Sequence, residues 1–153
     1  MPDRIETRLT ELGFKLPTAP AAVGAYAPAT QVGNLVITSG QIPFVDGELV
    51  LPGKLGGELT EEDGVKAAQI CALNALAQIK ACVGSLDKVK RILRVEGYVH
   101  AAPGFRRHAN VLNGASELLN HLYGENGKHT RIALGVNEMP LGAALQICLW
   151  AEV

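Results

Sequence analysis

Between Thr60 and Gly84 the chain can do little other than form a long helix, and that helix needs a sheet to lie on. Thr60 suits the cap position, Glu61, Glu62 and Asp63 sit where the helix dipole is positive, and Gly84 suits the end. Val65, Ala68, Ala72, Leu76, Ile79 and Val83 fall on one apolar stripe, whose alanines leave room for close approach to a neighbouring layer. The segments on either side supply that layer.

Tyr26 to Pro43 reads as two extended segments around the turn dipeptide Gly33-Asn34, the second being the apolar, β-branched run Leu35-Val36-Ile37-Thr38. Asp46-Gly47 marks another hairpin. Val89 to His100 reads as a strand with Leu93, Val95 and Val99 on one face and Ile92, Arg94, Glu96, Tyr98 and His100 on the other. A second helix is predicted from Phe105 to Tyr123, and Ile132 to Val136 with Ala143 to Ala151 read as a terminal strand pair. Ile5, Leu9 and Leu12 give residues 1–16 a short amphipathic helix, docked as an appendage. The order predicts an α+β class: a single mixed six-stranded β-sheet with two helices packed on one face, plus an N-terminal helix, in one domain spanning residues 1–153.

Charge and cysteine usage narrow the function classes. The net charge is -1 and no basic run exceeds Arg106-Arg107, so the footprint of duplex nucleic acid or an anionic membrane is absent. Cys71, Cys82 and Cys148 are odd in number and form no C-x-x-C pair, which predicts a reducing, cytoplasmic setting. Residues 1–16 interleave charged and apolar side chains and read as neither a signal peptide nor a membrane span. Ile37, Ala133, Ile147 and Leu149 lie in strands that are apolar on both faces, yet two helices cover only one face. The bare face predicts a homo-oligomer.

Most chemical motifs are missing. His100, His108, His121 and His129 lack metal-ligand spacing, Ser39 is not in a G-x-S-x-G elbow, and the 17 glycines form no phosphate-cradling pattern. No metal and no cofactor is expected. Arg131 is the exception, because it enters what reads as a buried strand, Arg131-Ile132-Ala133-Leu134-Gly135-Val136. An unpartnered buried charge costs roughly 3 to 5 kcal/mol. Its partner is either a ligand carboxylate or an acid such as Glu138, Glu152 or one from a neighbouring copy.

The stretches Ala21-Ala22-Val23-Gly24-Ala25-Tyr26 and Val36-Ile37-Thr38-Ser39-Gly40-Gln41-Ile42-Pro43, then Arg131-Ile132-Ala133 with Pro140 nine residues after the arginine, resemble the YjgF/RidA family of reactive-intermediate imine deaminases. The resemblance spans residues 20–153. It implies a chorismate-mutase-like fold, a homotrimer, and a ligand cleft at each subunit interface. It implies further that Arg131 clamps the carboxylate of a 2-imino or 2-enamino acid, with Tyr26, Ser39, Gly40, Asn113 and Ala133 lining the cleft, while water hydrolyses the C=N bond to a 2-keto acid and ammonia.

One position departs from the pattern. Active members carry a water-positioning glutamate on the last strand, and counting from Pro140 puts Gln146 there. Glutamine holds water but is no general base, and the lost assistance is worth roughly 100- to 10,000-fold in rate. His129 is a candidate substitute, two residues before Arg131 and on its face if the segment is extended; the competing reading is a loop-exposed histidine. Two functions therefore compete: an imine deaminase, and a homotrimer that binds a small carboxylate without chemistry. A ribonuclease or translation inhibitor ranks last on charge grounds.

Overall fold

A computed structural model describes residues 3–153. Helix α1 (Arg4–Glu11) is followed by strands β1 (Ala29–Val32), β2 (Leu35–Thr38), β3 (Phe44–Val45) and β4 (Glu48–Leu49). Then come α2 (Glu61–Val83), β5 (Arg91–His100), α3 (His108–Tyr123), β6 (Thr130–Val136) and β7 (Leu145–Glu152), with 3-10 turns at Leu86–Lys88, Gly124–Gly127 and Pro140–Gly142. The mixed sheet with helices on one face is as expected. Five strands form it, in the order β1-β2-β7-β5-β6, and the β3–β4 hairpin pairs on itself as a separate ribbon.

The long helix follows its chemistry closely. Thr60 Oγ1 accepts from the Asp63 N–H while the Asp63 carboxylate accepts from the Thr60 N–H, and Gly84 closes the helix at φ 95°. Ala68, Ala72, Leu76 and Ile79 are fully buried against the sheet. Two glycines permit the close layers: a Cβ on Gly97 of β5 would collide with Leu112 of α3, and one on Gly114 of α3 would press on the Val65 carbonyl of α2. Gly114→Ala is therefore expected to lower stability by about 1–3 kcal/mol through overpacking, read as a lower urea midpoint. The same change pushes α3, which carries Asn113 and Ser116.

Several expectations need correction. Strands β6 and β7 do not pair, because β5 lies between them, parallel to β6 and antiparallel to β7. Ile92 is buried with Val95 and Val99, because the register shifts between Ile92 and Arg94 and turns Ile92 to the helix side. Helix α3 starts at His108, three residues past Phe105, with no side-chain cap. Strand β6 is an edge strand with half-buried and exposed residues rather than a buried one.

Helix α1 is no appendage either. Ile5 and Leu9 join the main core, each 1% exposed, whereas Leu12 stays exposed. Asp3 caps α1 through the Glu6 N–H and also accepts from Leu86 N–H and Ser85 Oγ, while Asp87 accepts from the N–H groups of Arg4 and Ile5. Each terminus thus satisfies the other's orphan donors.

Among the described residues the sheet's second face is covered at one end, where Tyr98 and Val136 pack against Ile42, Met139 and Ala143, and is open elsewhere. Ile37, Ile132 and Trp150 are half-buried there, beside exposed Val32 and Leu134. Arg94 and Tyr98 both donate to Glu96 on this face, at 3.1 and 3.3 Å. Burial and the Glu96 charge push the neighbouring Cys148 thiol up to about 11, which makes it a poor nucleophile.

Candidate functional site

Arg131 sits on β6 level with Val95, so its side chain leaves the sheet on the helix face and meets α3. Its Nη1 donates to Asn113 Oδ1 at 2.8 Å and to Ser116 Oγ at 3.1 Å. Asn113 and Ser116 are three apart on α3 and therefore share a face. With Asn120, Lys128 and His129 they line an open groove of about 430 Å³.

No carboxylate pairs with Arg131 among the described residues. Glu138 lies 3.7 Å from both Lys54 and His100, and Glu152 pairs with Arg91 at 2.7 Å. The intrachain acids weighed as partners are thus engaged elsewhere. The guanidinium is half-buried and held by neutral groups alone, an arrangement that leaves its charge for an anion.

His129 is spent on structure. Nδ1 lies 2.6 Å from the Gly127 carbonyl and Nε2 lies 2.8 Å from Ser116 Oγ, so neither nitrogen is open to a ligand in its neutral form. Burial lowers its pKa, and the Arg131 charge adds to this against the hydrogen bond to Gly127. The unfolded chain protonates His129 near pH 6.5 and the folded chain only below that, so the unfolded state binds more protons in the acidic window. Stability is expected to be indifferent to this group above pH 6.5 and to fall as pH drops below it. Urea midpoints between pH 5 and 7, in wild type and His129→Gln, check this: the variant should lose the acidic decline.

The other predicted residues gather elsewhere. Gln146 on β7 is level with Tyr98, so it projects from the sheet's second face. Together with Tyr26, Gly40, Ile42, Pro140 and Leu141 it lines a second cleft of about 390 Å³. A Cβ on Gly40 would overlap the Gln146 side chain, so glycine there is what lets Gln146 lie across the strand end. Tyr26 is 50% exposed, and its hydroxyl accepts from the Val23 N–H at 3.3 Å. Leu141 forms the lip, exposed and in the left-handed region at φ 59°.

Two residues line neither cleft. The Ser39 hydroxyl donates to the Ala27 carbonyl at 2.6 Å and its N–H donates to Pro28, tying the preceding segment to the end of β2. Ala133 shares the face of Arg131, but it is half-buried and packs on the core. Ser116 is the residue that sequence reasoning missed as a site group. Its spacing from Asn113 was the available signal.

Arg131 and Gln146 are thus apart in one chain. They leave opposite faces, and their levels differ by the stretch from Val95 to Tyr98. That is roughly 10 Å along the strands, with two strand spacings of about 4.8 Å between them. The two clefts are separate within one chain.

Comparison with known proteins gives the lineage. A family model described as "YjgF/chorismate mutase-like, putative endoribonuclease" matches residues 6–153. Protein TCP17 of Trypanosoma cruzi is 39% identical over 151 residues, covering 98% of this chain and 94% of that protein. The crystal structure of Atu1372 from Agrobacterium tumefaciens superposes with a TM-score of 0.91 at 39% identity, covering 97% of this chain and 92% of that one. A crystal structure from Shewanella oneidensis, described as a "putative endoribonuclease", reaches a TM-score of 0.95 at 38% identity and covers 99% of this chain and 100% of that one. Matched along nearly its whole length in both sequence and fold, the chain belongs to the YjgF/chorismate mutase-like family.

Proposed function

We propose that the protein captures small 2-imino or 2-enamino acids by their carboxylate and hydrolyses the C=N bond, water adding to the imine carbon and ammonia leaving to give the 2-keto acid. One observation carries this reading: Arg131 is half-buried in a groove, supported by Asn113 and Ser116, with no acid paired to it among the described residues. A guanidinium so held makes a paired, charge-assisted contact with a planar carboxylate.

The working site is proposed to form between copies in a homotrimer, joining the Arg131 groove of one subunit to the Gln146 cleft of the next. The open part of the sheet's second face, with Ile37, Ile132 and Trp150, supports association. Tyr26, Gly40 and Leu141 would wall the substrate side chain, and Gln146 would hold the attacking water through its amide. The cytoplasm is the proposed location, in keeping with the free cysteines Cys71, Cys82 and Cys148.

Gln146 itself favours a second reading, a non-catalytic carboxylate-binding oligomer, because it cannot accept a proton from water. Generating 2-iminobutyrate in situ and following semicarbazide-trappable imine separates the two. Accelerated loss of imine, abolished in Arg131→Ala, supports the deaminase. Carboxylate binding without acceleration supports the binding oligomer.

A further inference from the structure

With a neutral imidazole at His129, the hydrogens around Arg131 have one self-consistent arrangement. Nη1 donates to Asn113 Oδ1 at 2.8 Å and to Ser116 Oγ at 3.1 Å, which uses both of its hydrogens. Ser116 Oγ lies 2.8 Å from His129 Nε2, and His129 Nδ1 lies 2.6 Å from the Gly127 oxygen. A guanidinium only donates and a carbonyl only accepts. Nδ1 therefore carries the imidazole hydrogen, Nε2 accepts from the Ser116 hydroxyl, and Ser116 accepts from Arg131.

The far end of this chain is fixed by backbone. Gly127 is buried, and any side chain there would collide with the backbone of Leu119 and Asn120 at the end of α3. The hydrogen-bonded chain thus ties β6 to α3 through neutral groups. Among the described residues it grips Arg131 by Nη1 alone and leaves Nε and Nη2 without partners.

We propose that Ser116 and His129 are positioning residues that lock the Arg131 guanidinium through Nη1, so that a ligand carboxylate docks side-on along the Nε–Nη2 edge, and that a proton on His129 releases the lock. This rests on the reading of Arg131 as the carboxylate clamp. The groups facing His129 are few. Strand β6 presents Arg131, the preceding loop presents Lys128, itself paired with Glu125 at 3.0 Å, and α3 presents the neutral Ser116, Asn113 and Asn120. Burial and the Arg131 charge favour the neutral imidazole. A proton on Nε2 turns that nitrogen into a donor aimed at Ser116 Oγ, and the Ser116 hydrogen then loses its acceptor.

Calorimetric titration with 2-oxobutyrate from pH 5.5 to 8 tests this on the intact protein. Ser116→Ala and His129→Ala should each raise Kd about ten-fold, the worth of one net hydrogen bond. His129→Gln, whose amide oxygen can take the hydroxyl hydrogen, should restore most of the affinity. Wild-type Kd should rise as pH falls below that of His129 protonation, and the His129→Gln profile should be flat. If Arg131→Ala abolishes binding while Ser116→Ala and His129→Ala bind as wild type, the lock is wrong and the clamp stands. If Arg131→Ala binds as wild type, the clamp is wrong. Nitrogen-15 spectra of the Arg131 guanidinium then decide the lock without ligand. Resolved Nη resonances that average in Ser116→Ala support it, and averaged resonances in wild type overturn it.

Discussion

Arg131→Ala should eliminate carboxylate capture while leaving the fold nearly intact. Two charge-assisted hydrogen bonds at about 1.5–3 kcal/mol each correspond to a loss of roughly 100-fold or more in affinity. The fold should tolerate the change because the guanidinium contacts only neutral groups, Asn113 and Ser116, so no buried acid is left unpaired. Arg131→Lys should recover little, since an ammonium is a point charge without the planar fork. Calorimetric binding of 2-oxobutyrate, beside a urea melt, checks both halves. Unchanged binding would remove the clamp, and a collapsed urea midpoint would make Arg131 a structural residue.

Gln146→Glu should act in the opposite direction, raising the rate of imine hydrolysis. A positioned general base contributes typically about 10²–10⁴-fold, and the substitution supplies one without changing side-chain size. The local structure favours tolerance: Gln146 makes no side-chain hydrogen bond among the described residues, and it lies against Gly40 in an open cleft. Glu96, another carboxylate on the same face, is not a ready substitute, because Arg94 and Tyr98 both donate to it. Loss of imine, followed by semicarbazide trapping, should quicken in Gln146→Glu relative to wild type. An unchanged rate would mean that water activation does not limit turnover or that Gln146 does not reach the reacting carbon.

The fold was most legible where local chemistry sets it. Helix α2 was readable at both ends because Thr60, Asp63 and Gly84 satisfy specific backbone groups within a few residues. The turns at Gly33 and at Asp46-Gly47 were readable for the same reason, with positive φ at Gly33, Asp46 and Gly47. What failed depended on distant partners. Nothing in the alternation of β5 announces the register shift that buries Ile92, and nothing local to β6 or β7 says that β5 will lie between them.

The site followed the same division. Asn113 meets Arg131, and Gly40 meets Gln146. The Ser39 hydroxyl is taken by Ala27, a contact set by how the preceding segment crosses β2 and invisible in the local sequence. His129 was weighed as a water-positioning substitute against a loop-exposed histidine, whereas its position beside Gly127 and Ser116 makes it a support for Arg131. The facing of Arg131 and Gln146 is a property of register in two different strand pairs, which one chain's periodicity does not encode.

The Arg131 groove and the Gln146 cleft are proposed to work as one site across copies. Ligand binding by mixed assemblies tests it most directly. Arg131→Ala removes one half, and Gly40→Leu fills the other, because any side chain at Gly40 overlaps Gln146. Neither variant alone should bind 2-oxobutyrate. Assemblies formed from equal amounts of the two should regain binding at a fraction of their sites, where an intact groove meets an intact cleft. Mixed assemblies that remain as inert as their parents, or a wild-type monomer that binds with full affinity, would contradict the account.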